Sequence, residues 1–161
     1  AIELVREAVA MAAFSVAVAG FPEVHPRAVS READLRFLKE KVDAGADAII
    51  TQLFFDNQDF YRFSDDLRKL GVTVPIVPGI LPLLSATQVR RFTALCGSKI
   101  PAKLENELVK VENYDDGAVE MGIEYATRQC QELIKFGVPG LHFYSLNKSF
   151  SVLAIHQNLG L

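Results

Sequence analysis

Polar side chains able to bind a ligand follow the apolar runs of this sequence. Gln52 ends the run 48–52 (AIITQ), and its amide can donate to and accept from a flat heterocycle. The same amide could instead satisfy the backbone of the next loop, since buried amides need partners. His25 lies between two prolines in the loop 20–26, where it could contact a ligand or be structural. No second His, Cys or carboxylate accompanies it at metal-ligand spacing, so we predict no metal site.

Two pairs at helical spacing add candidate binding residues. Asp34 and Lys41 are seven apart and share a helix face, which is either solvated or placed beneath a ligand with hydroxyls and phosphates. Gln88 and Phe92 share another face, on which Phe92 would by default be a core residue. Lys148 follows the last predicted strand and could bind a substrate carboxylate. The residues indicate a binding face, because no strand-end pair of carboxylates, nucleophile elbow or P-loop occurs.

Alternating hydrophobic periods predict the α/β elements that position these residues. Four strands are expected, at 14–19, 48–52, 74–78 and 141–144, the first of them covered on both faces as in a parallel sheet. Helices are expected at 1–11, 30–44, 59–70, 85–96, 102–111, 117–136 and 150–159. Unusual residues follow the carboxyl end of every strand, as on the catalytic face of a (β/α)8 barrel. The pattern alone leaves half of such a barrel and an open doubly wound sheet as equal alternatives.

Composition bounds the class of protein. With 161 residues, 50% hydrophobic, 23% charged and a net charge of −3, the sequence predicts one globular domain over 1–161 and excludes disorder. The acidic balance argues against nucleic acid as a partner, and no apolar run is long enough to predict a membrane span. Cys96 and Cys130 are too few for a disulfide framework and fit the cytoplasm. A complete (β/α)8 barrel takes about 250 residues, so this chain is too short to be one.

Five blocks of this sequence resemble methylenetetrahydrofolate reductases and occur in that family's order. They are 21–26 (FPEVHP), 41–47 (KVDAGAD), 50–56 (ITQLFFD), 78–82 (PGILP) and 142–147 (HFYSLN). The resemblance implies a flavoprotein (β/α)8 TIM barrel, of which this chain supplies the second half, strands five to eight. It also implies an oxidoreductase of one-carbon metabolism. In that family NADPH or NADH reduces FAD, which then reduces methylenetetrahydrofolate to methyltetrahydrofolate.

The resemblance assigns roles to twelve residues. Those matched to FAD contacts are Val18, Ala19, Gly20, Phe21, His25, Asp34 and Lys41. Those matched to substrate contacts are Gln52, Gln88 and Phe92, shared by folate and nicotinamide, and Tyr144 and Lys148 for folate. Two positions depart from the family. Lys148 stands where Arg is usual and offers a point charge in place of a bidentate fork, and Phe21 replaces a Tyr.

The resemblance also implies what this chain lacks. No residue is assigned as catalytic, because the family's general acid, a Glu, is expected in the first half of the barrel. We therefore expect the chain either to need that half or to self-associate, since a half-barrel exposes two sheet edges. The alternative from another class is a folded, non-catalytic binding or assembly module. A further alternative is an unrelated barrel or doubly wound enzyme.

Overall fold

The computed structural model describes residues 1–111 and 114–161 as an α/β fold. Its helices are α1 (Ile2–Ala10), α2 (Arg31–Asp43), α3 (Asn57–Lys69), α4 (Ala86–Cys96), α5 (Ala102–Lys110), α6 (Asp115–Phe136) and α7 (Phe150–Leu159). Its strands are β1 (Ala17–Gly20), β2 (Ala48–Thr51), β3 (Ile76–Val77), β4 (Gly79–Ile80) and β5 (His142–Phe143). The predicted alternation of strands and helices is confirmed.

Every strand pair in the described part of the chain is parallel, as predicted. β1, β2 and β3 form one sheet in that order, and β4 pairs with β5. The register places Gly20 opposite Thr51 and Ile50 opposite Val77, so the carboxyl ends of these strands meet at one edge. Residues that follow the strands are thereby gathered on one side of the sheet.

The strand predicted at 74–78 is divided by a proline. Pro78 has no N–H to donate, and the chain forms β3 before it and β4 after it. β4 then pairs with β5 through the N–H of His142, which donates to the Pro78 carbonyl at 3.0 Å. Because of this division, β3 pairs with β2 while β4 pairs with β5, so the segment 76–80 links the three-stranded sheet to the last strand.

The helices cover one face of the three-stranded sheet. Val18, Ile49 and Ile76 lie in one buried cluster with Leu38 of α2 and Phe63 of α3. Successive side chains of a strand point to opposite faces, and only one face packs against these helices. Alternate residues of the strands are therefore buried.

The other face differs from the expectation that the first strand is covered on both sides. Ala17 and Ala19 of β1 are exposed, and Ala48 and Ile50 of β2 are only half-buried. In a closed barrel this face would point toward the strands of the other half. The apolar run at 14–19 is therefore typical of a strand covered on both faces, but the described residues cover only one of those faces.

Side-chain caps set several helix starts. Ser30 and Ser85 accept from the N–H groups of Ala33 and Gln88, at 3.1 and 3.2 Å, as predicted for N-caps. α3 begins two residues earlier than expected, because Asp56 accepts from the N–H of Gln58. Within residues 1–111 and 114–161, no helix is both long and apolar enough to cross a bilayer.

A second buried cluster lies beyond the strand ends. It joins residues that follow the strands to the helices α4 and α5: Leu53, Phe55, Leu81, Leu83, Ala86, Val89, Leu104 and Leu108. This cluster supports α4, and with it two of the predicted substrate contacts.

Candidate functional site

A groove between the end of β1 and helix α2 gathers most of the residues matched to FAD. Its volume is about 590 Å³, and five of the seven line it: Ala19, Phe21, His25, Asp34 and Lys41. The strand supplies the first, the following loop the next two, and one face of α2 the last pair. Spacing alone left that face as solvated or ligand-binding, and the structure places it on a concave surface.

His25 is held in one orientation at this groove. Its backbone N–H donates to the Asp34 carboxylate at 2.9 Å, and its ring packs edge to face against the Phe21 ring, with the ring centroids 4.5 Å apart. Its Nδ1 accepts from the N–H of Arg27 at 3.0 Å. Because Nδ1 is the acceptor, neutral His25 carries its proton on Nε2 and can donate it to a ligand.

Lys41 provides a half-buried cation along the groove. Its Nζ donates to the carbonyl of Ala19 at 3.0 Å, at the end of β1. Burial lowers the pKa of Lys41, and the charge of Asp34 partly opposes that shift. The groove thus combines apolar walls with a cation, a carboxylate and an imidazole donor, which suits a ligand with a ring system, hydroxyls and phosphates.

The remaining two of the seven residues are not brought into the groove by their side chains. Val18 lies in the buried cluster beneath α2 and α3. A Cβ on Gly20 would lie 2.7 Å from Cζ of Phe63 and 2.9 Å from Cγ2 of Ile49, so this position requires glycine. Only the backbone of these two residues could face a ligand on the Ala19 side, and any such contact stays a prediction.

Two of the five residues matched to substrate line a second cavity. Gln88 and Lys148 share a space of about 560 Å³ with Ser85, Phe150 and Ser151. The Oε1 atom of Gln88 is buried and has no hydrogen-bond partner among the described residues. A buried acceptor without a donor is costly, so this amide is suited to a ligand N–H.

The other three lie around the second buried cluster and the end of β2. Phe92 and Tyr144 both pack against that cluster, and the Tyr144 hydroxyl donates to the Thr51 carbonyl at 2.8 Å. Gln52 accepts from the N–H of Leu53 through its own Oε1 at 2.9 Å. Gln52 therefore satisfies the backbone of the next loop, as one of its two interpretations from sequence predicted, while its NH₂ group stays available. Burial raises the pKa of Tyr144, as would a charge on the nearby Cys96.

The structure gives Arg27 and Thr51 roles at these sites that the sequence did not predict. Arg27 lines the groove at β1, and Thr51 links the ends of three strands. His142 touches the Tyr144 ring at a centroid distance of 4.7 Å, and its buried Nδ1 has no partner among the described residues. Arg27 lies in an aperiodic loop, and Thr51 reads as an ordinary strand residue, so no pattern marked them.

The part of the chain that the structure describes contains no set of side chains able to hold a metal ion. No three His, Cys, Asp or Glu side chains there are grouped to hold an ion. The polar side chains that line the groove are the imidazole of His25, the ammonium of Lys41, the guanidinium of Arg27 and the carboxylate of Asp34, a set suited to binding organic groups.

Comparison with known proteins gives the family. The family model described as Methylenetetrahydrofolate reductase matches residues 1–160. Methylenetetrahydrofolate reductase (NADH) 1 of Arabidopsis thaliana is 41% identical over 157 residues, covering 92% of this chain and 26% of the plant protein. The 5,10-methylenetetrahydrofolate reductase of Salmonella typhimurium is 39% identical over 150 residues, covering 93% of this chain and 51% of the bacterial protein. The chain thus spans about a quarter of the plant relative and about half of the bacterial one.

A solved structure shares the fold. It is an uncharacterized protein from Clostridium thermocellum that binds two copies of 5-methyl-5,6,7,8-tetrahydrofolic acid, similar with a TM-score of 0.62 at 21% identity. The similarity covers 91% of this chain and 52% of that one. The match to the family model over nearly every residue settles what the fold alone would not: this chain belongs to the methylenetetrahydrofolate reductase family.

Proposed function

We propose that this chain forms one wall of the active site of a flavin-dependent methylenetetrahydrofolate reductase. The observation that carries the proposal is the groove at β1, where five residues matched to FAD line one space of about 590 Å³. Lys41 would neutralise a phosphate, Asp34 would accept from a ribose hydroxyl, and His25 would donate from Nε2. Bound FAD would supply the hydride chemistry, and the groove would hold and orient it.

The second part of the proposal concerns the folate and nicotinamide. Gln88 and Phe92 lie on α4, and its N-terminus is fixed by Ser85. The unpartnered Oε1 of Gln88 supports its assignment as an acceptor for a pterin or carboxamide N–H. Phe92 and Tyr144 offer aromatic surface for a flat ring, and Lys148 would pair with the folate's glutamate carboxylate.

Reduction also needs a group that delivers a proton. The twelve matched residues are assigned to binding, and we place the general acid, a Glu, in the other half of the barrel. The activity is therefore proposed for the protein with all of its natural sequence, with NADH or NADPH as the hydride donor. A chain that bound FAD and folate without reducing it would be a binding module, the alternative function.

A matched pair of lysines on α2 tests the FAD assignment. Lys41→Met removes the cation that α2 contributes to the groove, whereas Lys39→Met removes a cation that pairs with Asp43 at 2.5 Å on the same helix. Titrating FAD into the protein with its full natural sequence should show about tenfold weaker binding for Lys41→Met and little change for Lys39→Met. Equal affinity of the two variants, or a protein that never takes up flavin, would contradict the proposal.

A further inference from the structure

The end of β2 breaks the regular hydrogen-bond ladder in a way that involves a side chain. In the parallel pairing of β2 with β3, the N–H of Ile49 donates to the carbonyl of Pro75. Continuing that register would direct the N–H of Gly79 to the carbonyl of Thr51. The N–H of Gly79 donates instead to Oγ1 of Thr51, at 2.9 Å.

The Thr51 carbonyl is thereby left for another donor. The hydroxyl of Tyr144 occupies it at 2.8 Å, across 93 residues of chain. Thr51 is fully buried, so water does not compete for either group. One residue therefore joins β2 to β4 through its side chain, and to the end of β5 through its backbone.

Close packing at Gly79 supports the same arrangement. A Cβ at this position would lie 2.2 Å from the Thr51 carbonyl oxygen and 2.7 Å from Cε2 of Tyr144. Only glycine lets the tyrosine ring approach the strand this closely. The ring is also touched by the imidazole of His142.

From this geometry we infer that Thr51 is a positioning residue for the substrate site. By taking the Gly79 N–H on its hydroxyl, it keeps its carbonyl open to Tyr144 and fixes the phenol ring beside the second buried cluster. The Tyr144 hydroxyl is committed as a donor, so Tyr144 offers a ligand its ring and an oxygen lone pair. The inference rests on the proposed role of Tyr144 in folate binding.

Comparing Thr51→Val with Thr51→Ser separates the effect of the hydroxyl acceptor from the effect of side-chain packing. Valine keeps the shape but removes the acceptor, so the Gly79 N–H turns to the Thr51 carbonyl and competes with Tyr144. Serine keeps the acceptor. We expect Thr51→Val to weaken binding of 5-methyltetrahydrofolate about tenfold, measured by calorimetry on the protein with its full natural sequence, and Thr51→Ser to restore it.

A double-mutant cycle with Tyr144→Phe distinguishes positioning from a general loss of structure. If Thr51 acts through the phenol hydroxyl, Thr51→Val should cost about threefold or less once that hydroxyl is absent. Effects that simply multiply in the double variant would overturn the inference.

A readout without folate keeps the inference separate from the proposed function. In the protein with its full natural sequence, NMR of ring-labelled tyrosine, with the Tyr144 signal assigned from Tyr144→Phe, follows this phenol through a pH titration. The hydrogen bond from the Tyr144 hydroxyl to the Thr51 carbonyl favours the neutral phenol. Thr51→Val should weaken that bond and so lower the pKa of Tyr144, whereas Thr51→Ser should not. An unchanged pKa contradicts the inference, whereas a lowered pKa in a protein that binds no folate contradicts only the proposed function.

If Thr51→Val does not fold, amide exchange decides the question in the unmodified protein. The Gly79 amide should exchange slowly because Thr51 holds it, and fast exchange would contradict the hydrogen bond on which the inference depends.

Discussion

Glu23 links the loop that carries His25 to the segment after α4. One carboxylate oxygen accepts from the N–H of Lys99 at 2.9 Å, and the other is buried without a partner among the described residues. Burial raises the pKa of this carboxyl above its ordinary value, even though the Lys99 hydrogen bond favours the charged form. The folded state therefore retains the proton to higher pH than the unfolded chain does.

The sign of the resulting pH dependence is opposite to that of most surface carboxylates. Ionising Glu23 costs folded-state stability, so its contribution decreases as pH rises from the unfolded value through the folded one. We expect Glu23→Gln to gain thermal stability relative to the unmodified protein as pH rises from about 4 to about 7, by a few degrees at most. Melting temperatures measured across that range check the trend.

Glu32 offers the matched control. Its own backbone N–H and the Ser30 hydroxyl lower the pKa of its carboxyl. Glu32→Gln should therefore lose stability relative to the unmodified protein over the same rise in pH, and parallel trends for the two variants would rule out the explanation.

At the residue scale, the sequence predicted which side chains share a face but not the local hydrogen bonds that each side chain makes. Resemblance selected Asp34 and Lys41, and the structure places them on one groove, because positions seven apart share a helix face. It did not show that Asp34 also holds the His25 backbone, or that Gln52 bonds to its neighbour. Such bonds depend on loop geometry, which has no period to detect.

Among the elements, the loop after β1 carries backbone strain next to the groove. Val24 has φ of 82°, a conformation that a β-branched residue rarely adopts. Its N–H donates to the Phe21 carbonyl at 3.1 Å, while Glu23 on one side accepts from the Lys99 N–H and the backbone N–H of His25 on the other side donates to Asp34. The loop that presents His25 is thus fixed before any ligand arrives.

Val24→Gly should stabilise the protein by relieving this strain. A left-handed conformation costs an L-residue about 1–2 kcal/mol, and part of that gain is offset by the greater freedom of glycine when unfolded. We expect the free energy of unfolding to increase by about 1 kcal/mol in urea titrations. Val24→Ala, which loses the same contacts but keeps a Cβ, should not gain, and equal results for the two variants would contradict the strain.

The start of α4 is a second element whose end supports the site. Ser85 accepts from the N–H of Gln88 and lines the cavity shared by Gln88 and Lys148. Ser85→Ala should reduce the free energy of unfolding by about 1 kcal/mol, because a helix N–H loses its acceptor. Ser85→Thr keeps the oxygen and should restore most of the loss in the same urea experiment. A larger loss with threonine than with alanine would mean that packing, and not capping, governs this position.

Helix starts and the order of elements were largely predictable, whereas the strand division at Pro78 was not. Ser30 and Ser85 carry local signals for N-caps, and the structure has both. The sequence predicts that the strand ends at Pro78, but β4 begins directly after it. That outcome depends on hydrogen-bond partners on β2 and β5, which are distant in sequence, so local pattern could not reveal it.

For the whole molecule, the open face of the three-stranded sheet is the feature that the proposed function must explain. Ala17 and Ala19 are exposed, and Ile50 is half-buried, on the side opposite the helices. The chain spans about half of the bacterial relative, and in a closed barrel this face would meet the other strands. An apolar face and an unpaired edge at β1 favour association with a second chain or segment.

We expect the isolated 161-residue chain to self-associate through this face, with a sedimentation-equilibrium mass that increases with concentration. Ala17→Glu places a charge on the exposed face without filling buried space, and it should shift the chain toward monomer by about tenfold in dissociation constant. Gln58→Glu adds the same charge at an exposed position on α3, within the helical layer, and should leave association unchanged. A chain that stays monomeric at all concentrations, or equal effects of the two variants, would show that this face does not drive association. In the protein with its full natural sequence, Ala17→Glu should instead reduce thermal stability, because the proposed barrel would cover this face with its other strands.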